Sequence, residues 1–233
     1  MKTPKILVLS ALTLVATLPV ARAGFGDLLK QDSAPAVAAP SVGDFSNLLD
    51  STTGNVLAAR IQFLDAQADL SSALGLSTDS IVKASEGLRA MEGTSSSSSE
   101  KLKAIKDSNK KTENAKKEFS EALAKSQTLS EESKAKFAKG TVKFLQGVIL
   151  EKQQIVTITS LVAQGKALVS SAGIMGKVKA MGMVKPASEM AFLVPGDVKE
   201  GFTTLGQITS FANKQNITVP SQDEINKDLG DQA

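Results

Sequence analysis

Residues 130–172, SEESKAKFAKGTVKFLQGVILEKQQIVTITSLVAQGKALVSSA, decide the fold. Ser130 ahead of Glu131 and Glu132 is a helix start: a hydroxyl can cap free amides, and acids suit the positive end of the helix dipole. Apolar residues then recur at Phe137, Val142, Phe144, Leu145, Val148, Ile149, Ile155, Val156, Ile158, Leu161, Val162, Leu168 and Val169, largely at three- and four-residue steps. Read straight through, Glu131 to Ala172 makes one helix of about 63 Å at 1.5 Å per residue. A compact domain of about 190 residues is only roughly 40 Å across. Either the bundle is elongated or the helix breaks, and Gly140, Gly147 and Gly165 are the candidate breaks, each costing about 1 kcal/mol against Ala.

The second half of this stretch carries a competing signal. Ile155-Val-Thr-Ile-Thr-Ser-Leu-Val162 has high β propensity, and Gln164-Gly165-Lys166 reads as a turn before Ala167-Leu168-Val169. A β-hairpin over 155–169 is therefore the alternative. Continuity with the helical pattern upstream favours helix.

Upstream, the helical pattern begins at Asp44. Phe45, Leu48, Leu49, Val56, Leu57, Ile61, Leu64 and Ala68 share one stripe, and Gly75 closes the helix. Ser77 opens a second helix, with Asp79 in its first turn, which runs through Ile81, Val82, Ala84, Leu88 and Met91 to Gly93. Thr94–Ser99 is a low-complexity loop. From Glu100 a third helix is expected to about Lys125, thinly apolar at Leu102, Ile105, Ala115, Phe119, Ala122 and Leu123. Seven lysines, Lys101, Lys103, Lys106, Lys110, Lys111, Lys116 and Lys117, stand there against two acids. They form a candidate face for an anionic partner. The alternative is a solvated face with Glu/Lys pairs at helical spacing, such as Glu113 with Lys117 and Glu121 with Lys125.

Downstream, Gly173–Val194 is rich in Gly and Met. Four of the five methionines after residue 23 lie in it: Met175, Met181, Met183 and Met190. Pro186 and Pro195 are expected to bound a short helix, Ala187–Leu193, and Asp197 to cap another through Val198, Phe202, Leu205, Ile208 and Phe211. Residues 218–233 form an acidic tail, with Ser221 and Glu224 at capping-box spacing.

The first 23 residues read as an export signal. Lys2 and Lys5 give the positive start, Ile6–Leu18 the short apolar core, and Ala21-Arg22-Ala23 the small residues before cleavage at Gly24. The apolar run falls short of the roughly 20 residues a membrane span needs. Residues 24–43, with Pro35, Pro40 and small side chains, read as a flexible tether. Lys2, Lys5 and Arg22 would leave with the signal, so the exported chain has 24 basic residues facing 24 acidic ones. That balance argues against a nucleic-acid partner, which calls for a clustered excess of positive charge.

The chain contains no His, Cys, Trp or Tyr. Zinc, haem, iron–sulfur and copper sites of the usual kinds lose their ligands, and Ser-His-Asp and Cys-His catalysis lose their members. No phosphate-binding glycine loop, dinucleotide fingerprint or calcium loop occurs, so no cofactor or metal is expected. Ser-x-x-Lys occurs four times, at Ser80, Ser98, Ser108 and Ser133, without its companion motifs, which marks chance. Leu76-Ser77-x-Asp79-Ser80-x-x-Lys83-x-x-x-Gly87 matches Leu129-Ser130-x-Glu132-Ser133-x-x-Lys136-x-x-x-Gly140. A duplicated helical hairpin of about 53 residues would explain this, and so would two helix starts, where Ser caps and early acids are favoured, which is the preferred reading. An enzyme would need a buried carboxylate pair, or a Ser–Lys pair, converging in one pocket.

These readings predict an all-α, elongated bundle of five to seven helices over residues 44–217 behind the tether. The expected role is non-enzymatic: an exported structural or interaction protein of a bacterial envelope, periplasmic or secreted, binding a protein or apolar partner through a helical face. The second reading is a membrane-active protein inserting through residues 155–194. The third is a carrier of a small hydrophobic ligand. Gln153–Met175 contains one charge, Lys166, and Ala172, Gly176 and Ala180 have small-x-x-x-small spacing. Against a stable span, only 11 of the 20 residues from Ile155 to Ile174 are apolar. A mid-helix lysine also costs about 2.5–3.5 kcal/mol on insertion scales. Leu161, Val169, Ile174, Met175, Met181, Met183, Met190 and Phe192 are the candidate apolar-partner or lipid face.

Overall fold

The computed structural model describes residues 40–125 and 128–219. Among them are six helices and no strand: α1 (Val42–Ala73), α2 (Asp79–Arg89), α3 (Ser98–Lys111), α4 (Glu113–Ala124), α5 (Glu131–Ser171) and α6 (Ile174–Lys214). The fold is the expected all-α bundle. The export signal, nearly all of the tether and nearly all of the acidic tail lie outside the described residues.

Helix ends follow local chemistry. Ser41 caps α1 by accepting the Asp44 amide at 3.1 Å, two residues before the expected start. At its other end Gly75 takes φ 72°, which a Cβ would oppose, and Leu76 N–H reaches the Ser71 carbonyl at 2.9 Å. Ser97 and Glu100 form a reciprocal capping box at α3. Ser130 caps α5 as the sequence indicates, by accepting the Ser133 amide.

Helix α5 is unbroken over 41 residues and contains no β-hairpin. Its glycines are contact points rather than breaks. A Cβ on Gly140 would meet Leu70 Cγ at 2.9 Å, one on Gly147 would meet the Phe63 backbone nitrogen at 3.2 Å, and one on Gly165 would meet Val184 Cγ1 at 2.7 Å. Each forgoes about 1 kcal/mol of propensity, and in return α1 and α6 approach α5 closely. The resulting pairs (Leu70 with Gly140, Phe63 with Gly147, Val184 with Gly165, and Val148 with Gly201) set both neighbours antiparallel to α5. Gly165→Ala is therefore expected to cost about 1–3 kcal/mol by overpacking. Adding Val184→Ala should restore most of that in urea unfolding. Equal stability of Gly165→Ala and the wild type would disprove the tight seam.

Two other expectations are corrected. The segment from Glu100 to Lys125 is two helices, parted at Thr112, which is fully buried and donates its hydroxyl to the Ser108 carbonyl at 3.0 Å. The break follows the charges: Lys110 and Lys111 end one dipole and Glu113 begins the next. The short helix expected over Ala187–Leu193 and the one expected to open at Asp197 are parts of one helix, Ile174–Lys214, with Pro186 and Pro195 inside it. Each proline removes a backbone hydrogen bond and crowds the carbonyl one turn earlier, together costing about 3 kcal/mol in a helix interior. Burial of Ala187, Met190, Val194 and Val198 on one face, against α1 and α5, holds the helix together.

The core has two main parts, beside a small cluster of Leu145 and Ile149. One gathers Phe45, Leu49, Val56, Leu57, Ile61 and Leu64 of α1 with Ile81 and Leu88 of α2, Leu102 and Ile105 of α3, and Ile158, Leu161, Leu168, Met190 and Val194 of the α5–α6 hairpin. The other gathers Phe63 and Leu70 of α1 with Phe119 and Leu123 of α4, Phe137, Phe144 and Val148 of α5, and Ile208 and Phe211 of α6. The Phe63 and Phe144 rings meet at 4.6 Å, and those of Phe137 and Phe211 at 5.2 Å.

Candidate functional site

Where the two cores meet, four helices bring polar groups together. Arg60 of α1 is 1 % exposed and donates to Asn109 Oδ1 in the last turn of α3. Asn109 Nδ2 donates in turn to both carboxylate oxygens of Asp197 on α6, at 3.2 and 3.4 Å. Asp197 therefore sits inside α6, tied to α3, instead of capping a new helix. The Arg60 guanidinium lies over the Phe63 ring at 4.7 Å, and its Nε is buried without a hydrogen-bond partner.

Glu151 of α5 is also 1 % exposed. Burial pushes its carboxyl up to about 7. Arg60 pulls it back, Asp197 adds to the rise, and Lys116 and Glu200, themselves paired at 2.9 Å, act more weakly in opposite senses. The sequence carried a signal for this layer. Arg60 stands three residues after Leu57 and four before Leu64, and Glu151 three after Val148 and seven before Ile158. Both are charges placed on apolar stripes.

A buried carboxylate near a second one has the composition of an acid–base pair. The adjacent cavity, about 160 Å³ between Phe63, Gln67, Phe119, Phe144, Thr203 and Gln207, is lined by neither Glu151 nor Asp197. It is also small beside the 300–1,000 Å³ typical of ligand pockets. An open groove of about 450 Å³ beside it is lined by polar residues such as Asn109, Glu113, Lys116 and Glu200. The first space is partly apolar but small, with Lys116 and Glu200 also on its wall, and the second is open and polar. Among the described residues no group of three or more acidic side chains is placed to hold a metal ion.

The lysine-rich segment is divided by the structure. Lys106 pairs with Glu189 at 2.7 Å and Lys116 with Glu200, both on α6. Lys101 is half-buried, while Lys103, Lys110, Lys111 and Lys117 are exposed. Asp107, Glu113 and Glu118 are interleaved with them. The face is of mixed charge, and its long-range ties are cross-helix ion pairs.

The apolar candidates separate more sharply. Leu161 and Met190 are fully buried in the core, so neither is a surface group. Val169 and Met183 are half-buried and pack against the same core. Met181 and Phe192 are about half exposed. Ile174 and Met175 open α6, and their side chains lie outside what is described. Val178, absent from the sequence-based set, is 74 % exposed. Val178, Met181, Lys185 and Phe192 recur at helical spacing on the side of α6 opposite Ala180, Ala187, Val194 and Val198. Continuing the one-for-one pairing of α1 with α5 puts Val42 level with about residue 168. The last turn of α5 and the first two turns of α6 thus project past α1. Among the described residues no helix is long and apolar enough to cross a membrane.

No protein-family model matches the chain, and neither a curated protein nor a solved structure is significantly similar to it.

Proposed function

We propose that the chain is an exported, non-enzymatic interaction protein of a bacterial envelope that engages its partner through the projecting end of the α5–α6 hairpin. The observation that carries this reading is the outward stripe on α6, where Val178 at 74 % and Met181 at 53 % exposure stand in register on a helix whose other face is core. Large apolar side chains grouped on an exposed helical face are characteristic of interaction sites. The charge layer argues for a structural role in the same way: its carboxylates are sealed between helices, away from the adjoining cavity. Export rests on the signal pattern of residues 1–23.

Two measurements test this. Expressed in a bacterium, the chain should be recovered outside the cytoplasm with Gly24 as its first residue, by N-terminal sequencing. The recovered protein should be retained on isolated envelopes, and the double variant Val178→Asp/Met181→Asp should not be, while melting at the wild-type temperature because both side chains are exposed. Equal retention of the two proteins would move the interaction site elsewhere.

A further inference from the structure

We infer that the projecting hairpin end is a peripheral docking element for anionic phospholipid, a step that rests on the interaction reading above and names its partner. The argument is charge complementarity. From Lys152 to Ser188 the chain has five lysines and no acidic residue, in a protein whose exported form is balanced overall. Lys177 and Lys179 flank Val178 directly, and both are exposed. Lys185, 76 % exposed, stands on the same stripe one turn beyond Met181, with only a 4.0 Å approach to Glu189. Glu189 itself is engaged at 2.7 Å by Lys106. The acid that α1 contributes at this end is Asp44, which accepts the Ser41 hydroxyl at 2.6 Å within its own helix cap.

Apolar side chains ringed by lysines suit the boundary between lipid headgroups and acyl chains. The lysines meet the anionic surface while Val178 and Met181 enter the outer edge of the hydrocarbon. An acidic protein surface would satisfy the lysines but gives no reason for the exposed valine and methionine between them. Docking is peripheral because Leu161, Ala180 and Met190 on the inner face are already committed to the core. Insertion of the whole segment 155–194 would require unpacking them.

The test is vesicle co-flotation of the exported protein, isolated with its processed N-terminus, using phosphatidylcholine vesicles with and without phosphatidylglycerol. Binding should require phosphatidylglycerol. A lysine near an anionic surface is worth roughly five-fold in affinity, so Lys177→Gln/Lys179→Gln should weaken binding roughly twenty- to thirty-fold. Val178→Asp/Met181→Asp should abolish it, and Lys103→Gln/Lys110→Gln should leave it unchanged. Indifference to the Val178 and Met181 changes, or equal loss in the Lys103/Lys110 variant, overturns the inference. So does a lack of flotation under all conditions. If envelope retention remains sensitive to Val178→Asp/Met181→Asp without any vesicle binding, the lipid assignment fails and the interaction reading stands. Loss of both removes the two together.

Discussion

Arg60→Met should destabilise the protein by about 3–5 kcal/mol at neutral pH, the cost expected when one partner of a buried charge network is removed. Methionine keeps most of the volume and can still lie against Phe63, so the loss is electrostatic rather than a cavity. Without the guanidinium, Asn109 loses the donor to its carbonyl, Asp197 keeps only the Asn109 amide, and Glu151 loses the principal charge that favours its ionised form. Chemical unfolding at pH 7 measures the effect directly. A control gives the scale: Lys106→Gln breaks an ion pair whose partners are 41 % and 31 % exposed, and should cost less than about 1 kcal/mol. The triple variant Arg60→Met/Glu151→Gln/Asp197→Asn, with the charges removed together, should regain most of the loss. If Arg60→Met unfolds within about 1 kcal/mol of the wild type, the layer contributes no more than a surface pair.

The position of this layer explains why a bundle would retain it. Helices α1 and α6 run antiparallel to α5 over long stretches, and leucine and phenylalanine contacts alone tolerate sliding by a turn. A guanidinium on α1, an amide on α3 and a carboxylate on α6 meet in one register only. In this respect the layer acts as polar residues do in coiled-coil seams, fixing alignment at some cost in stability. The glycine contacts at Gly147 and Gly165 impose the same alignment by shape.

The helices were legible in the sequence because three- and four-residue apolar spacing and Ser caps are local signals. Continuity was not. Gly140, Gly147 and Gly165 lower helix propensity, and Pro186 and Pro195 remove backbone bonds. The contacts that outweigh these losses come from residues such as Leu70, Phe63 and Val184 far away in the chain. The same limit applies to the hairpin face. Periodicity identified Leu161 and Met190 as apolar but not which side of their helices a neighbour would cover. Val178, a single valine between two lysines, has no pattern of its own. Arg60 and Glu151 were readable as charges out of place on apolar stripes, but their convergence depends on the α1–α5 register.

Glu151→Gln should change the response of the fold to pH more than any other single substitution. The folded carboxyl titrates at about 7 because burial opposes its charge, against an ordinary value of 4.5. Between those two values the folded state holds a proton that the unfolded state releases, so stability is fully present below about pH 4.5 and falls as pH rises through 7. A shift of this size corresponds to about 3 kcal/mol. Glu100 and Glu132 are shifted the other way by Ser97 and by Lys136. Their contributions are lost on acidification below the ordinary carboxylate value, outside this window. Glutamine mimics the protonated acid at every pH. The variant should match the wild type near pH 4.5, exceed it by up to about 3 kcal/mol at pH 8, and show a flat profile between. Urea unfolding across that range decides the matter: a flat wild-type profile, or coincident curves at pH 8, would show that Glu151 is ionised at little cost. Surrounding pH would then act on stability through one carboxyl, set in the same layer that holds α1, α3, α5 and α6 in register.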